Sequence, residues 1–477
     1  MSALASPRPL RARVPYRPAL IGAGVLVLEL VIALGITEPR FTRLLVLPLA
    51  AICLALVFSF PFAAACVLLG LVGSINAPEM AFSLGPVDAR VYELLLGALV
   101  LVALVRPRQT TWGGWPGGAL AAFLGVLSLS TLLAVSEGAV RIESALPWAR
   151  GFYLYAIFFV VVRLFGDRES LRRLLVVGTG LGAISGVVAA LIALVPTVGS
   201  TLDFGVSWST QTSLDDARRV QVPGLGLAYA LFWLAIVQVV RTRGWERTLW
   251  GLAVAGMALN IVVSQNRNML IGLLLGLMLM LVFGDARLRH RVLLGAGVMA
   301  AGATLMLFSG FEVEQESRVA SIVERGTTLF DPSAVGQEQS LTHRADETQV
   351  AWQTARENLL FGIGPGTDFG VTFGERRADG TTRSTTQNFV HNQYLYLLMI
   401  GGVPLIVTFL SFLGGVLWQA SRQLDATVLP LAVGLVMIMS SAVVMIYFSS
   451  FEMVATIALL TGVLVAWTRS PEALPPA

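Results

Sequence analysis

The stretch GWPGGALAAFLGVLSLSTLLA, residues 114 to 134, runs through 21 positions without a charged side chain. A helix of about 20 apolar residues crosses the hydrocarbon core of a bilayer, whereas a soluble helix alternates apolar and polar faces. This stretch therefore reads as a transmembrane helix. Comparable runs lie near residues 19 to 36, 86 to 105, 146 to 165, 174 to 195, 221 to 240, 248 to 265, 268 to 284, 292 to 310, 394 to 420, 427 to 448 and 452 to 468. The run from Leu44 to Val72 is divided by Ser59, Phe60 and Pro61 and reads as two short helices. Together these give about 14 spans, within a range of 12 to 14.

Composition agrees. Of 477 residues, 56% are hydrophobic and only 13% charged, outside the range of a soluble globular chain. The expected fold class is an all-α polytopic membrane protein. All 33 basic residues are arginine and the formal net charge is +4, but the arginines sit at helix ends and in loops instead of forming one basic face, which argues against nucleic-acid binding. Cys53 and Cys66 both fall in apolar runs, so neither a disulfide framework nor a thiolate metal site is expected in the loops. Arg8, Arg11, Arg13 and Arg17 precede the first apolar run without a convincing small-residue cleavage site, so that run reads as a retained first helix.

Short arginine-rich loops stay cytoplasmic. With the N-terminus inside, Arg106, Arg108, Arg163, Arg168, Arg172, Arg173, Arg241, Arg243, Arg247, Arg287, Arg289, Arg291, Arg422 and Arg469 all fall on the cytoplasmic side. The C-terminus is then also inside, and residues 311 to 390 face outward. The expected organisation is membrane helices over 1–310, a loop subdomain over 311–390 and further membrane helices over 391–477. Within the loop, Glu347 to Leu360 has helical periodicity through Val350, Ala351, Ala355 and Leu359, stopped by Gly362, Gly364, Pro365 and Gly366. Ala378-Asp379-Gly380 reads as a turn between two short extended segments.

Ionisable residues near membrane depth mark cavities or partners. Arg267, in Ser264-Gln265-Asn266-Arg267-Asn268, either binds an anion on the outer side or snorkels to the headgroups. Arg218 and Arg219 close the outer loop near residues 196 to 220, where guanidinium forks suit a diphosphate, although Asp215 and Asp216 can neutralise them. Arg150 points into the same cavity or outward, and Glu29 and Glu93 read as structural partners. Of the three histidines, His290 lies among cytoplasmic arginines and reads as solvated, and His343 adjoins Arg344 in the outer loop. His391 differs, because it stands where the polar loop becomes a membrane helix, between Gln387-Asn388 and Asn392. An imidazole there either accepts a proton from a substrate at the outer leaflet or serves, as a lone interfacial histidine does, a structural role. No His/Asp/Glu set has metal-ligand spacing. Gly362-Ile363-Gly364-Pro365-Gly366 lacks the Lys-Ser/Thr continuation of a nucleotide loop and reads as a turn, with backbone N–H groups that could meet a phosphate.

His391-Asn392, followed by Tyr394, Leu395, Gly402 and Pro404, resembles the histidine motif of the O-antigen ligase and polymerase superfamily. Trp352 to Gly366 resembles that family's loop segment, and Ser264 to Ile271 its arginine motif; Leu405 and Ile271 depart mildly from the pattern. The resemblance covers roughly residues 220 to 420 in detail. It implies a metal-independent, cofactor-free glycosyltransferase of the inner membrane. Its donor would be an undecaprenyl-diphosphate-linked glycan, and its acceptor the lipid A core or another lipid-linked glycan. The implied roles are His391 for the acceptor hydroxyl, Arg267, Arg218, Arg219 and Arg150 for the diphosphate, and Asn392 and Arg344 in support. The short second outer loop favours ligase over polymerase, and a protein O-oligosaccharyltransferase shares the same residues. Two other classes stand beside this reading: a transporter of lipid-linked glycan, which would show paired broken helices in two halves, and a structural partner of an assembly complex, which would tolerate loss of His391.

Overall fold

The computed structural model describes residues 54–73, 81–84, 87–109, 111–194, 210–212, 218–220, 222–264, 266–293, 339–370, 372–376, 382–386 and 388–470. The apolar runs expected near residues 19 to 36 and 292 to 310 lie outside them, except for 292 and 293. The chain divides into two compact units, residues 1–64 and 65–477. In the first, residues 54–59 are helical and Phe60 interrupts the helix. Pro61 then opens α1 (Pro61–Gly73), a first-turn position where its missing N–H costs nothing. The break expected at Ser59-Phe60-Pro61 is therefore present.

The second unit continues with a hairpin of β1 (Ala81–Leu84) and β2 (Val87–Arg90), then α2 (Val91–Val105) and α3 (Gly114–Ser136). The run near 86 to 105 thus begins as strand, not as membrane helix. α4 (Ile142–Tyr153) passes through a 3-10 turn at Leu154–Ala156 into α5 (Ile157–Leu164), and α6 (Arg168–Leu194) follows. A second hairpin, β3 (Thr210–Thr212) with β4 (Arg218–Val220), leads to α7 (Leu225–Arg241), α8 (Gly244–Val263) and α9 (Arg267–Phe283). After α10 (Gln339–Glu357), a hairpin of β5 (Thr372–Arg376) and β6 (Thr382–Thr386) brackets the turn expected at Ala378-Asp379-Gly380. The chain closes with α11 (Gln393–Ser421), α12 (Val428–Ser441) and α13 (Phe451–Arg469). Among the described residues six helical stretches are long and apolar enough to cross a membrane, and five shorter apolar helices accompany them. The architecture is that of an all-α polytopic membrane protein carrying small hairpins.

In lipid, helices associate by close backbone approach, which small residues permit. Gly178, Gly182 and Gly186 recur every four residues along one face of α6. A Cβ on Gly182 would lie 2.8 Å from the Ala228 amide of α7, and one on Gly186 would lie 1.7 Å from the Gly256 carbonyl of α8. Gly434 of α12 meets the Ala230 carbonyl of α7 equally closely. On the other flank, Phe123, Phe152, Tyr155, Phe158, Phe409 and Phe412 form a buried aromatic core joining α3, α4, α5 and α11.

The bundle has two chemically distinct ends. At one, the Arg108 and Gln109 amides donate to the Arg163 carbonyl, the Arg163 guanidinium donates to Gln109 O at 2.8 Å, and Arg469 reaches Gly113 O at 2.9 Å. Asp167 caps α6 there, accepting from the Ser170 amide at 2.7 Å and hydroxyl at 2.8 Å, beside Arg108 at 3.3 Å. Partial desolvation pushes its carboxyl up, but the Ser170 hydrogen bonds and the Arg108 charge outweigh that and hold it below the ordinary carboxylate range. At the opposite end Glu452, in the first turn of α13, accepts from the Gly224 and Gly226 amides at the start of α7. His391 lies at this second end.

Candidate active site

Membrane helix α11 is broken at its third turn. Gly402 has φ 67° and ψ −167°, and Pro404 follows inside the helix. Pro404 carries no N–H to donate to Ile400, and the Val403 amide donates to Leu359 O at 2.7 Å instead of to Met399. The two freed carbonyls are satisfied from the loop that follows α10: Ile363 N–H reaches Met399 O at 2.9 Å, and Gly364 N–H reaches Ile400 O at 3.0 Å. The Ser130 hydroxyl of α3 contacts both the Phe361 and Ile400 carbonyls. Only glycine fits this contact: a Cβ on Gly362 would stand 2.4 Å from Gly401 N, and one on Gly402 would stand 2.4 Å from Leu359 O. The glycine cluster therefore docks the loop onto the bundle. The segment is the turn read from the sequence, and because the Gly362, Ile363 and Gly364 amides already have protein acceptors they are not open to a phosphate.

The docking fixes α10 against the start of α11 and brings two residues together. Glu347, Ala351 and Ala355 form the buried stripe of α10, spaced by four. The Glu347 side chain is 1% exposed, and both of its oxygens go to His391: Oε1 accepts the His391 backbone N–H, and Oε2 lies 2.8 Å from Nδ1. A carboxylate accepts only, so Nδ1 carries a proton and, in the neutral ring, Nε2 carries the lone pair. The His391 side chain is 27% exposed, with Phe389 edge-on at 5.4 Å and Trp148 of α4 stacked beyond it. Asn392 caps α11 by accepting from the Leu395 amide at 3.1 Å, so its role is to hold the helix start beneath the imidazole.

The turn at residues 442–450 gathers the rest. Its Ala442 carbonyl accepts from Gln393 N–H at 3.0 Å, its Val444 carbonyl lies 3.4 Å from Arg344 Nη1, and its Tyr447 hydroxyl lies 3.5 Å from Asn266 Nδ2. Arg344 is one turn before Glu347 on the same helix. Asn266 caps α9 through its own side chain, and Arg267 is the first residue of that helix. Three separate elements thus present His391, Arg344 and the backbone of Arg267 around one turn. Val222, just past β4, packs with Val263 near the end of α8, which brings the Arg218–Val220 strand toward the same end. The side chains of Arg267, Arg218, Arg219 and His343 lie outside the described residues.

Arg150 is placed differently. Its Nε lies 3.4 Å from Glu93 Oε1, with the two side chains 10% and 28% exposed, so this guanidinium is matched by a carboxylate within the bundle. His290 is exposed near the Arg241–Asp285 pair, as its arginine neighbours suggested. Glu347 was missed as a site residue. Its signal was available: a carboxylate four and eight positions before two alanines of an apolar stripe is either misplaced or partnered.

No curated protein matches the chain at a significant level. Residues 252–410, from α8 into α11 and including Arg267, Arg344, Glu347 and His391, match the family model described as O-antigen ligase, in support of the resemblance to the O-antigen ligase and polymerase superfamily.

Proposed function

We propose that the protein transfers a glycan from an undecaprenyl-diphosphate-linked donor to the lipid A core, at the end of the bundle that carries His391. The observation that carries this reading is the convergence of the start of α11, just after His391, of Arg344 and of the start of the Arg267 helix on the turn at 442–450. The arginine-rich end is then cytoplasmic, by the bias of short basic loops, and the site faces the periplasm. His391 Nε2 takes the proton of the acceptor hydroxyl as its oxygen bonds to the anomeric carbon. The bond from that carbon to the diphosphate oxygen breaks, and its electron pair leaves on the diphosphate. Arg344 and Arg267, with Arg218 and Arg219 from the neighbouring hairpin, meet the growing charge, the place where fixed cations lower a barrier most. Nothing in this scheme needs a metal or a nucleotide, because the donor arrives activated. A lipid-linked glycan as acceptor would make the same chemistry a polymerase.

The deciding experiment follows a radiolabelled lipid-diphosphate glycan with purified protein, wild type beside His391→Ala, offering lipid A core and unlabelled lipid-linked glycan separately. Product on lipid A core, lost in the variant, is the expected result. Product on the other acceptor selects the polymerase, and no product on either overturns both the ligase and the polymerase readings.

A further inference from the structure

We infer that Glu347 is the positioning residue of His391, setting the imidazole so that Nε2 alone faces the reacting hydroxyl. This rests on the reading of His391 as the proton acceptor. The geometry is specific in three ways. The carboxylate is all but excluded from solvent, at 1% exposure, in a stripe otherwise made of alanine. Burying a carboxylate is strongly unfavourable unless its oxygens are bonded, so a sequence that keeps one there is using it. Both oxygens go to a single residue, one to the main chain and one to the ring at 2.8 Å, which fixes the ring relative to its own backbone.

The proton balance gives the arrangement its function. Free neutral histidine favours the proton on Nε2, the tautomer that cannot accept there; a carboxylate on Nδ1 reverses the preference. When Nε2 takes the acceptor proton the ring becomes an imidazolium, and the same carboxylate offsets its charge. Glu347 neither touches substrate nor moves a proton. It also ties His391 to α10, which is held on α11 by the hydrogen bonds at Ile363 and Gly364. The site is therefore assembled only when the loop segment is docked.

The test uses full-length protein in two arms. In the first, Glu347→Gln, Glu347→Asp and His391→Ala are compared with wild type in the transfer assay. A Gln offers one acceptor oxygen for two N–H groups, and kcat should fall by about 10²–10⁴-fold with donor KM within about threefold; Asp should recover part of the loss. In the second, ¹⁵N-histidine spectra are recorded with His290→Gln and His343→Gln in place, leaving His391 as the one signal. At neutral pH the proton should be on Nδ1, and Glu347→Gln should shift it toward Nε2. A folded Glu347→Gln protein with wild-type kcat, or a proton on Nε2 when Glu347 is present, overturns the inference. If Glu347→Gln does not fold, the spectrum with Glu347 intact decides alone. Activity surviving in His391→Ala defeats the parent reading instead, so the two failures are distinguishable.

Discussion

The Ile400 carbonyl, left without its helical partner because Pro404 has no N–H, is bonded by the Gly364 amide at 3.0 Å. A defect in a membrane helix thereby becomes the anchor of the loop that carries Glu347 and Arg344. Glycines of this loop differ in what they cost to replace. Gly362 and Gly370 both have positive φ, 65° and 84°, but a Cβ on Gly362 meets backbone at 2.4 Å whereas one on Gly370 meets nothing within 4 Å. Gly370→Ala should cost about 1 kcal/mol of backbone strain. Gly362→Ala should cost at least about 2 kcal/mol more, undock the loop and abolish transfer. Thermal unfolding in detergent and limited proteolysis of the α10 segment measure both, and equal effects would remove the docking argument.

The sequence disclosed the helices because a long charge-free run leaves few alternatives, and α3, α7, α11 and α13 lie within a few residues of the runs read for them. It did not disclose the break in α11, since Gly402 and Pro404 are tolerated in membrane helices and the freed Met399 and Ile400 carbonyls find donors 36 residues away in the chain, at Ile363 and Gly364. The stripe of α10 was nearly legible: Ala351 and Ala355 are buried as expected, but Leu359 is an exposed turn residue and the stripe extends backward to Glu347. Likewise, the charges of Arg150 and Glu93 were both visible, and their pairing across two helices was not.

That ion pair separates two roles for Arg150. If the guanidinium chiefly neutralises Glu93, Arg150→Ala strands a carboxylate in the bundle and should destabilise the fold by about 3 kcal/mol. Arg150→Met with Glu93→Leu should restore most of the stability and leave transfer within about threefold of wild type. A double variant that melts normally yet fails to transfer would return Arg150 to the diphosphate site.

Asp167 offers a test at the opposite end. Its carboxyl is held below the ordinary range by the Ser170 hydrogen bonds and Arg108. The stability it contributes is therefore present above the ordinary carboxylate pKa and is lost as pH falls through the lowered folded value. Asp167→Ala should cost about 1 kcal/mol as a lost helix cap near neutral pH and nothing in acid, where both proteins are uncharged at this position. A stability difference that does not shrink on acidification would mean the cap acts without its charge.

Arg344 should not be replaceable by lysine. A guanidinium can keep its bond to Val444 O while presenting further N–H groups in a plane that matches a phosphate, and an ammonium cannot do both. Arg344→Lys should lower kcat by about 10²-fold or more, in the range seen when one donor to a developing anion is removed. Arg267→Lys should behave similarly. If either variant keeps wild-type turnover and donor affinity, that arginine does not hold the diphosphate.

Orientation is the remaining premise, and it can be tested away from the site. Trp245 is 71% exposed at the start of α8, beside Arg243 and Arg247 at the arginine-rich end, whereas Ala378 lies between β5 and β6 in the polar loop. With Cys53 and Cys66 replaced by alanine, an introduced cysteine at each position reports its side of the membrane. Ala378→Cys should react with an impermeant thiol reagent in intact spheroplasts, and Trp245→Cys only after lysis. The arginine count demands this order, because translocating so many guanidiniums in short loops opposes both the anionic inner leaflet and the membrane potential. The reverse labelling would put His391 and Glu347 on the cytoplasmic side, where a lipid-linked donor presented to the periplasm could not reach them. The fold would stand in that case, and the proposed donor would not.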